Sequence, residues 1–183
     1  MDKAIAMKAL RILLESEIKN KKIFILMKNR HKLRKKEAKE LRNQIKNMLG
    51  CEIDGDIEIA EYENWKIFLI NGEFVGLFID GLPFLNVHGL KKYRAVKRFV
   101  TVDDGAIKFI LNGADVMAPG IISADENIRK GDIVWIRDER GLPLAIGKAL
   151  MSGKEMVLSK KGKAVENLHH IGDKLWKFSV SHY

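Results

Sequence analysis

One cysteine, Cys51, stands in a chain of 183 residues. That excludes an internal disulfide and any cysteine-rich zinc site, and it agrees with a reducing, cytoplasmic setting. Long apolar runs are missing as well. The opening stretch, MDKAIAMKALRILLESEIKNKKIFIL, is broken by Lys8, Arg11, Glu15 and Glu17, so neither a secretory leader with a cleavage site nor a spanning helix is expected. Catalytic signatures are absent too: no G-x-S-x-G elbow, no GK(S/T) phosphate loop, no paired-carboxylate pattern. His31, His88, His169, His170 and His182 have no partner three or four residues away that would set a metal-binding face. No catalytic residue, metal or cofactor is therefore expected. Acidic residues are in deficit, 24 against 33 Lys and Arg, for a net charge of +9. An anionic partner follows, with RNA, DNA and an acidic membrane surface all allowed by charge alone.

What is present reads as a soluble globular chain, 46% hydrophobic and 31% charged, long enough for one large or two small domains. No long repeat and no low-complexity segment occurs. Residues 4–18 carry helical periodicity through Ile5, Ala9, Ile12 or Leu13, and Ser16, and residues 23–27 are compatible with a strand. From Lys28 the chain turns basic. Leu33, Leu41, Ile45 and Met48 share one face of a helix from about Arg34, with Gly50 as its stop. The opposite face carries Lys35, Lys36, Lys39, Arg42 and Lys46 against only Glu37 and Glu40. That face is either solvated or answered by phosphates. Strands are expected at residues 57–59, 65–70 and 73–79, the last two joined by the hairpin signal Asn71-Gly72. Asp80-Gly81-Leu82-Pro83 breaks the pattern. Residues 85–97, with Lys91, Lys92, Arg94 and Lys97 around Tyr93, form a basic hinge or a solvated connection.

The second half is organised around residues 103–122, DDGAIKFILNGADVMAPGII. Asp103 or Asp104 caps a short helix with Ile107, Ile110 and Leu111 at helical spacing, Gly113 lies just past its end, and Ala118-Pro119-Gly120 bends the chain. Residues 132–138 and 142–150 read as paired strands, with Pro143 pushing the second to an edge. Residues 152–159 give a helical turn, Lys160-Lys161-Gly162-Lys163 a basic loop, and residues 173–180 a closing strand carrying Trp176. Short strands, glycine turns and a single helix suit a small closed sheet.

The blocks GAIKFILNGADVMAPGI, KGDIVWIRDERGLPLAIGKA and KGKAVENLHHIGDKLW resemble a PUA domain, the RNA-binding module named for pseudouridine synthases and archaeosine transglycosylases. More narrowly, they are similar to the malignant T-cell amplified (MCT) oncoprotein and ligatin family, including compact archaeal relatives. Asn29-Arg30-His31-Lys32-Leu33 resembles the start of that family's first domain. The resemblance implies an α+β chain: an N-terminal helical extension over residues 1–26, a pre-PUA α+β domain over 27–95, and a PUA pseudo-barrel over 96–183. It also implies RNA contact at Lys108, Gly113, Ala114, Met117, Pro119 and Gly120, with Lys163 and His169 beside them.

Lys160 and Lys161 on the basic loop, and Lys35, Lys36, Lys39 and Arg42 on the first helix, are the further cations expected at RNA. Met117 either faces a base or packs in the core, while Phe109, Trp135, Trp176 and Phe178 are expected in the core. The family's activity points to a non-catalytic cytoplasmic translation factor. Its partners would be rRNA or tRNA, the small ribosomal subunit, and a SUI-domain protein of the density-regulated type, with no membrane. Two other classes stay open: an accessory subunit of an RNA-modification enzyme, of pseudouridine synthase or archaeosine transglycosylase type, and a protein-interaction scaffold.

Overall fold

The computed structural model of the protein describes residues 4, 7–8, 10–15 and 26–180. Those described between 4 and 15 are helical and expose Met7, Leu10, Ile12, Leu13 and Leu14. Ile5, Ala9 and Ser16, residues 23–25 of the expected first strand, and His182 lie outside the described residues. None of the described helices is long and apolar enough to cross a membrane.

The first sheet has five strands in sequence order, all antiparallel: β1 (Lys28–Lys32), β2 (Ile57–Tyr62), β3 (Trp65–Ile70), β4 (Glu73–Ile79) and β5 (Leu82–Leu85). Strand β1 falls on the basic stretch itself. Its neighbour β2 carries the acids that answer it, with Arg30 2.5 Å from Glu58 and the Asn29 amide donating to Glu61 at 2.9 Å. Opposite polarity across a strand pair sets this edge. Helix α1 (Lys35–Leu49) packs Ala38, Leu41, Ile45 and Leu49 inward and ends at Gly50, as its periodicity predicts. Asn71 and Gly72 both have positive φ, the geometry of a tight hairpin. Asp80 and Gly81 repeat that geometry. The expected break at residues 80–83 is thus a second hairpin, and Pro83 is tolerated because β5 lies at the sheet edge.

Residues 85–97 are not a hinge. Asn86, fully buried, caps helix α2 (Val87–Tyr93): its side-chain oxygen accepts from the Gly89 amide at 2.7 Å and its Nδ2 donates to the Phe74 carbonyl at 3.2 Å. Val87, Gly89 and Leu90 are buried beneath it.

Six strands make the second sheet: β6 (Phe99–Val102), β7 (Val116–Met117), β8 (Ile121–Ala124), β9 (Ile133–Arg137), β10 (Pro143–Ala149) and β11 (Lys163–His170). Their order is β7-β11-β10-β9-β6-β8, and only β6 and β9 run parallel. The two end strands, β7 and β8, are joined by the three-residue 3-10 turn Ala118–Gly120. So short a link between the opposite ends of the order requires the sheet to curl back on itself, which gives the near-closed barrel. Strand β10 is interior, and Pro143 sits at its first residue instead of marking an edge.

Among its described residues this half holds three helices: α3 (Asp104–Ile110), as expected, α4 (Gly153–Leu158), where a helical turn is expected, and α5 (Lys174–Val180), which is not expected. Helix α5 replaces the expected closing strand. Asp173 decides it, accepting the Trp176 amide at 2.7 Å as a helix cap, after which Leu175, Phe178 and Ser179 bury at helical spacing. The other Asp173 oxygen binds His169 Nδ1 at 2.7 Å and the His170 amide at 3.0 Å. Burial pushes the Asp173 carboxyl up, but the His169 contact and the two amides outweigh it and hold the group below its ordinary value.

Helix α5 then crosses to the first sheet. Phe178 stacks on Tyr62 with ring centroids 3.8 Å apart and meets Phe74 at 5.4 Å. Ile133, Trp135 and Ile146 join the same apolar core. Trp135 donates to the Lys97 carbonyl at 2.7 Å, and Lys148 pairs with Asp80 at 2.7 Å.

Two outcomes follow. Asn86→Ala removes a buried cap and strands the groups it served, lowering stability by about 2 kcal/mol and the midpoint of thermal unfolding by about 4–8 °C. The Asp173 carboxylate stabilises the fold fully above its unfolded value, near 3.8, and loses that contribution as pH falls through its lower folded value. In denaturant unfolding, the advantage of the natural chain over Asp173→Asn is therefore greatest near neutral pH and shrinks below about pH 4.

Candidate nucleic-acid interface

The Asp103 carboxylate caps α3 by accepting the Ala106 amide at 2.8 Å. Ile110 is the helix's buried anchor, flanked by half-buried Ile107 and Leu111. Past the helix, the amides of Asn112, Gly113 and Ala114 turn back onto the carbonyls of Phe109 and Ile110 at 3.0–3.1 Å. Gly113 takes φ +86, and a Cβ there would lie 3.2 Å from His170 Nε2. Valine at this position strains the backbone, so that substitution reports on loop folding before it reports on any ligand.

Strand β11 fixes this loop. Asn167 donates through Nδ2 to the carbonyls of Ile110 and Ala114, each at 3.0 Å, and through its backbone amide to Asp115. That amide first, and then the Lys163 ammonium 3.0 Å away, hold the Asp115 carboxyl below its ordinary value.

Between α3, this loop and the 3-10 turn lies an open cleft of about 730 Å³. Ala106, Val116 and Pro119 line it, and Gly120 lets the turn approach the helix, since a Cβ there would sit 3.1 Å from that of Ala106. Phe109 and Met117 stand at its lips, 64% and 47% exposed. Phe109 does not belong to the core as expected, and of the two placements open to Met117 the core is excluded. The helix shows why: Phe109 lies off the Ile107–Ile110–Leu111 stripe. Trp135 and Phe178 are buried as expected, and Trp176 is half-buried.

Of the residues expected at RNA, the cleft gathers Ala114, Met117, Pro119, Gly120 and Lys163. Lys108, Gly113, Lys160 and Lys161 are exposed outside its lining. The three lysines among them have no acidic partner among the described residues. Lys163 is also exposed, but its charge is answered by Asp115.

His169 is overturned as a contact residue: it is fully buried, with Nδ1 2.7 Å from the Asp173 carboxylate. On α1, Lys35, Lys36 and Lys39 are exposed, whereas Arg42 is half-buried and spends its guanidinium on the Gly55 carbonyl at 2.6 Å. Arg42 therefore does not share that free cationic face. Sequence reasoning missed Phe109, Asp115 and Asn167, of which only Phe109 carried a local signal. No cluster of metal-ligating side chains occurs among the described residues.

The chain can be set beside known proteins on this geometry. Residues 98–171 match the PUA domain, and residues 29–88 match a domain of unknown function, DUF1947. An uncharacterized protein of Methanocaldococcus jannaschii is 41% identical over 159 residues, spanning 83% of this chain and 98% of the relative. Translation machinery-associated protein 20 of Saccharomyces cerevisiae is 38% identical over 134 residues, 68% of this chain and 73% of the relative. The crystal structure of a hypothetical protein from Pyrococcus horikoshii superposes with a TM-score of 0.74 at 40% identity, covering 82% of this chain and 99% of that one. An N-terminal α+β unit followed by a PUA barrel is common to the sequence matches and the fold, and the chain belongs to the PUA-domain family of translation machinery-associated protein 20 and the malignant T-cell-amplified sequence proteins.

Proposed function

We propose that the protein is a non-catalytic RNA-binding factor of the translation machinery that contacts the small ribosomal subunit, tRNA or both, in the cytoplasm. The observation that carries this reading is the apolar α3 cleft with Phe109 and Met117 bare at its mouth. A soluble domain gains nothing from holding a phenylalanine in water, whereas an unstacked base gains a ring face there. The name of the yeast relative supplies the translation setting.

On this reading the unit over residues 96–183 takes the base between Phe109 and Met117. Pro119, Gly120 and Ala114 shape the floor, and Lys108, Lys160 and Lys161 meet flanking phosphates. The unit over residues 27–95 adds a second electrostatic contact through Lys35, Lys36 and Lys39. Recognition is by shape, stacking and backbone charge, with little readout of sequence. A partner of the density-regulated type, carrying a SUI domain, belongs to the same proposal as a separate protein contact.

Sedimentation of the protein with small subunits, large subunits and free tRNA at several ionic strengths tests it. Binding to small subunits or tRNA is expected to fall steeply between about 50 and 200 mM salt, and binding that barely changes over that range would refute the reading. Phe109→Ala is expected to weaken RNA binding about 10-fold, in keeping with one lost base stack, with the thermal midpoint unchanged. Replacing Lys35, Lys36 and Lys39 together by Glu should weaken binding and flatten its salt dependence. Unaltered affinity in that variant would point to a scaffold that meets acidic proteins.

A further inference from the structure

A second groove, of about 530 Å³, opens where the two sheets meet, between the end of α2, residues 94–96 and the β9–β10 turn. Its lining carries four cations, Lys91, Arg94, Arg137 and Arg140, and one carboxylate, Asp138. That carboxylate is committed to the turn: Asp138 Oδ1 accepts the amides of Arg140 at 3.0 Å and Leu142 at 2.7 Å. Lys91, Arg94 and Arg140 are exposed, and no acidic side chain pairs with them among the described residues. The neighbouring Lys92, by contrast, is held by Glu73, which also takes His88.

Arg137 is the unusual member. Its guanidinium lies 3.7 Å from the Phe99 ring centroid and 5.5 Å from that of Trp135, and its Nε donates to Thr101 Oγ1 at 3.0 Å. It is half-buried, and no carboxylate pairs with it among the described residues. Burial alone pushes its pKa below the ordinary value, yet a guanidinium does not lose its proton in a protein. A desolvated cation answered only by a hydroxyl and two rings is costly unless an anion completes it.

Dipole stabilisation explains cations in the last turn of α2, and so accounts for Lys91 and Arg94. It does not reach Arg137 or Arg140, which come from the opposite wall. Arg94 itself takes φ +53 at the C-cap of α2, a left-handed position where glycine is the ordinary choice.

We propose that this groove is a second polyanion site, taking the phosphodiester backbone of RNA, with Arg137 as the preorganised fork and Lys91, Arg94 and Arg140 as its charged rim. Stacking on Phe99 fixes the guanidinium plane, leaving its terminal nitrogens to a phosphate as paired donors. The choice of RNA as ligand rests on the reading of the α3 cleft; the groove's chemistry as a polyanion site stands on its own residues. Both halves of the chain build it, so it exists only while they are docked.

The test uses the full chain with bulk tRNA as probe and poly-glutamate as a protein-like polyanion, comparing the natural sequence with Lys91→Gln/Arg94→Gln/Arg140→Gln and with Phe109→Ala. Each lost phosphate contact lowers the slope of log affinity against log salt by about 0.7–0.9. The triple variant is therefore expected to lose about 2 from that slope and to bind tRNA more than 10-fold more weakly near about 150 mM salt, with an unchanged thermal midpoint. Phe109→Ala should weaken binding at an unchanged slope.

A triple variant that folds normally and keeps both slope and affinity overturns the proposal. So does one that loses poly-glutamate binding alone, which would assign the groove to an acidic protein. If the triple variant loses its slope while Phe109→Ala binds normally, the groove stands and the cleft reading fails. A natural chain that binds no tRNA overturns both.

Discussion

Phe178 in its slot between Tyr62 and Phe74 is the contact on which the arrangement of the molecule depends. Two sheets in one chain could move against each other as beads on a string. Here the last helix leaves the barrel, crosses to the first sheet and stacks a ring at 3.8 Å. Ile133, Trp135 and Ile146 of the barrel enter the same apolar cluster. Aromatic burial of this kind contributes more than its area alone suggests. It turns the join from a linker into a wall, and the basic groove beside it is shaped by that wall.

Net charge describes this protein poorly until the pairings are known. Arg30 is matched by Glu58, Lys32 by Asp56, Lys46 by Glu52, Lys148 by Asp80 and Lys163 by Asp115. These pairs pin strand edges, turns and the join. Among the described residues, cations that no acid answers gather on the first turns of α1, around the α3 cleft and at the seam with Arg137. Localised charge of one sign, set beside apolar surface, is what a polyanion with unstacked bases requires.

Much of this was legible in the residues. The hairpin at Asn71-Gly72, the stop of α1 at Gly50 and the cap of α3 at Asp103 each follow from a local rule, and each occurs. Most of the misreadings share a cause, because a partner outside the pattern outvoted it. Residues 173–180 alternate as a strand would, but Asp173 caps a helix and the Tyr62–Phe74 slot rewards helical spacing. His169 looked available until β11 turned it inward. Arg42 looked free on its helix until the turn at Gly55 came within reach. Phe109 is expected in the core because its segment is strongly patterned, although its offset from the apolar stripe points it outward. Asn167 carried no signal, since its role is defined by the carbonyls of Ile110 and Ala114, more than fifty positions earlier in the chain.

The short link between β7 and β8 bears on the order in which the molecule assembles. The first sheet is a meander whose strands pair with their sequence neighbours, so it is able to form while later residues are still being synthesised. The barrel has no such freedom. Its strand β7 waits for β11 at Lys163 and Val165, and the ring that docks the two units arrives later still, at Phe178. Loops of that span close late. The slot between Tyr62 and Phe74 is filled only by a residue more than a hundred positions further along, so the seam between the two units closes on helix α5 and not on the chain that links them.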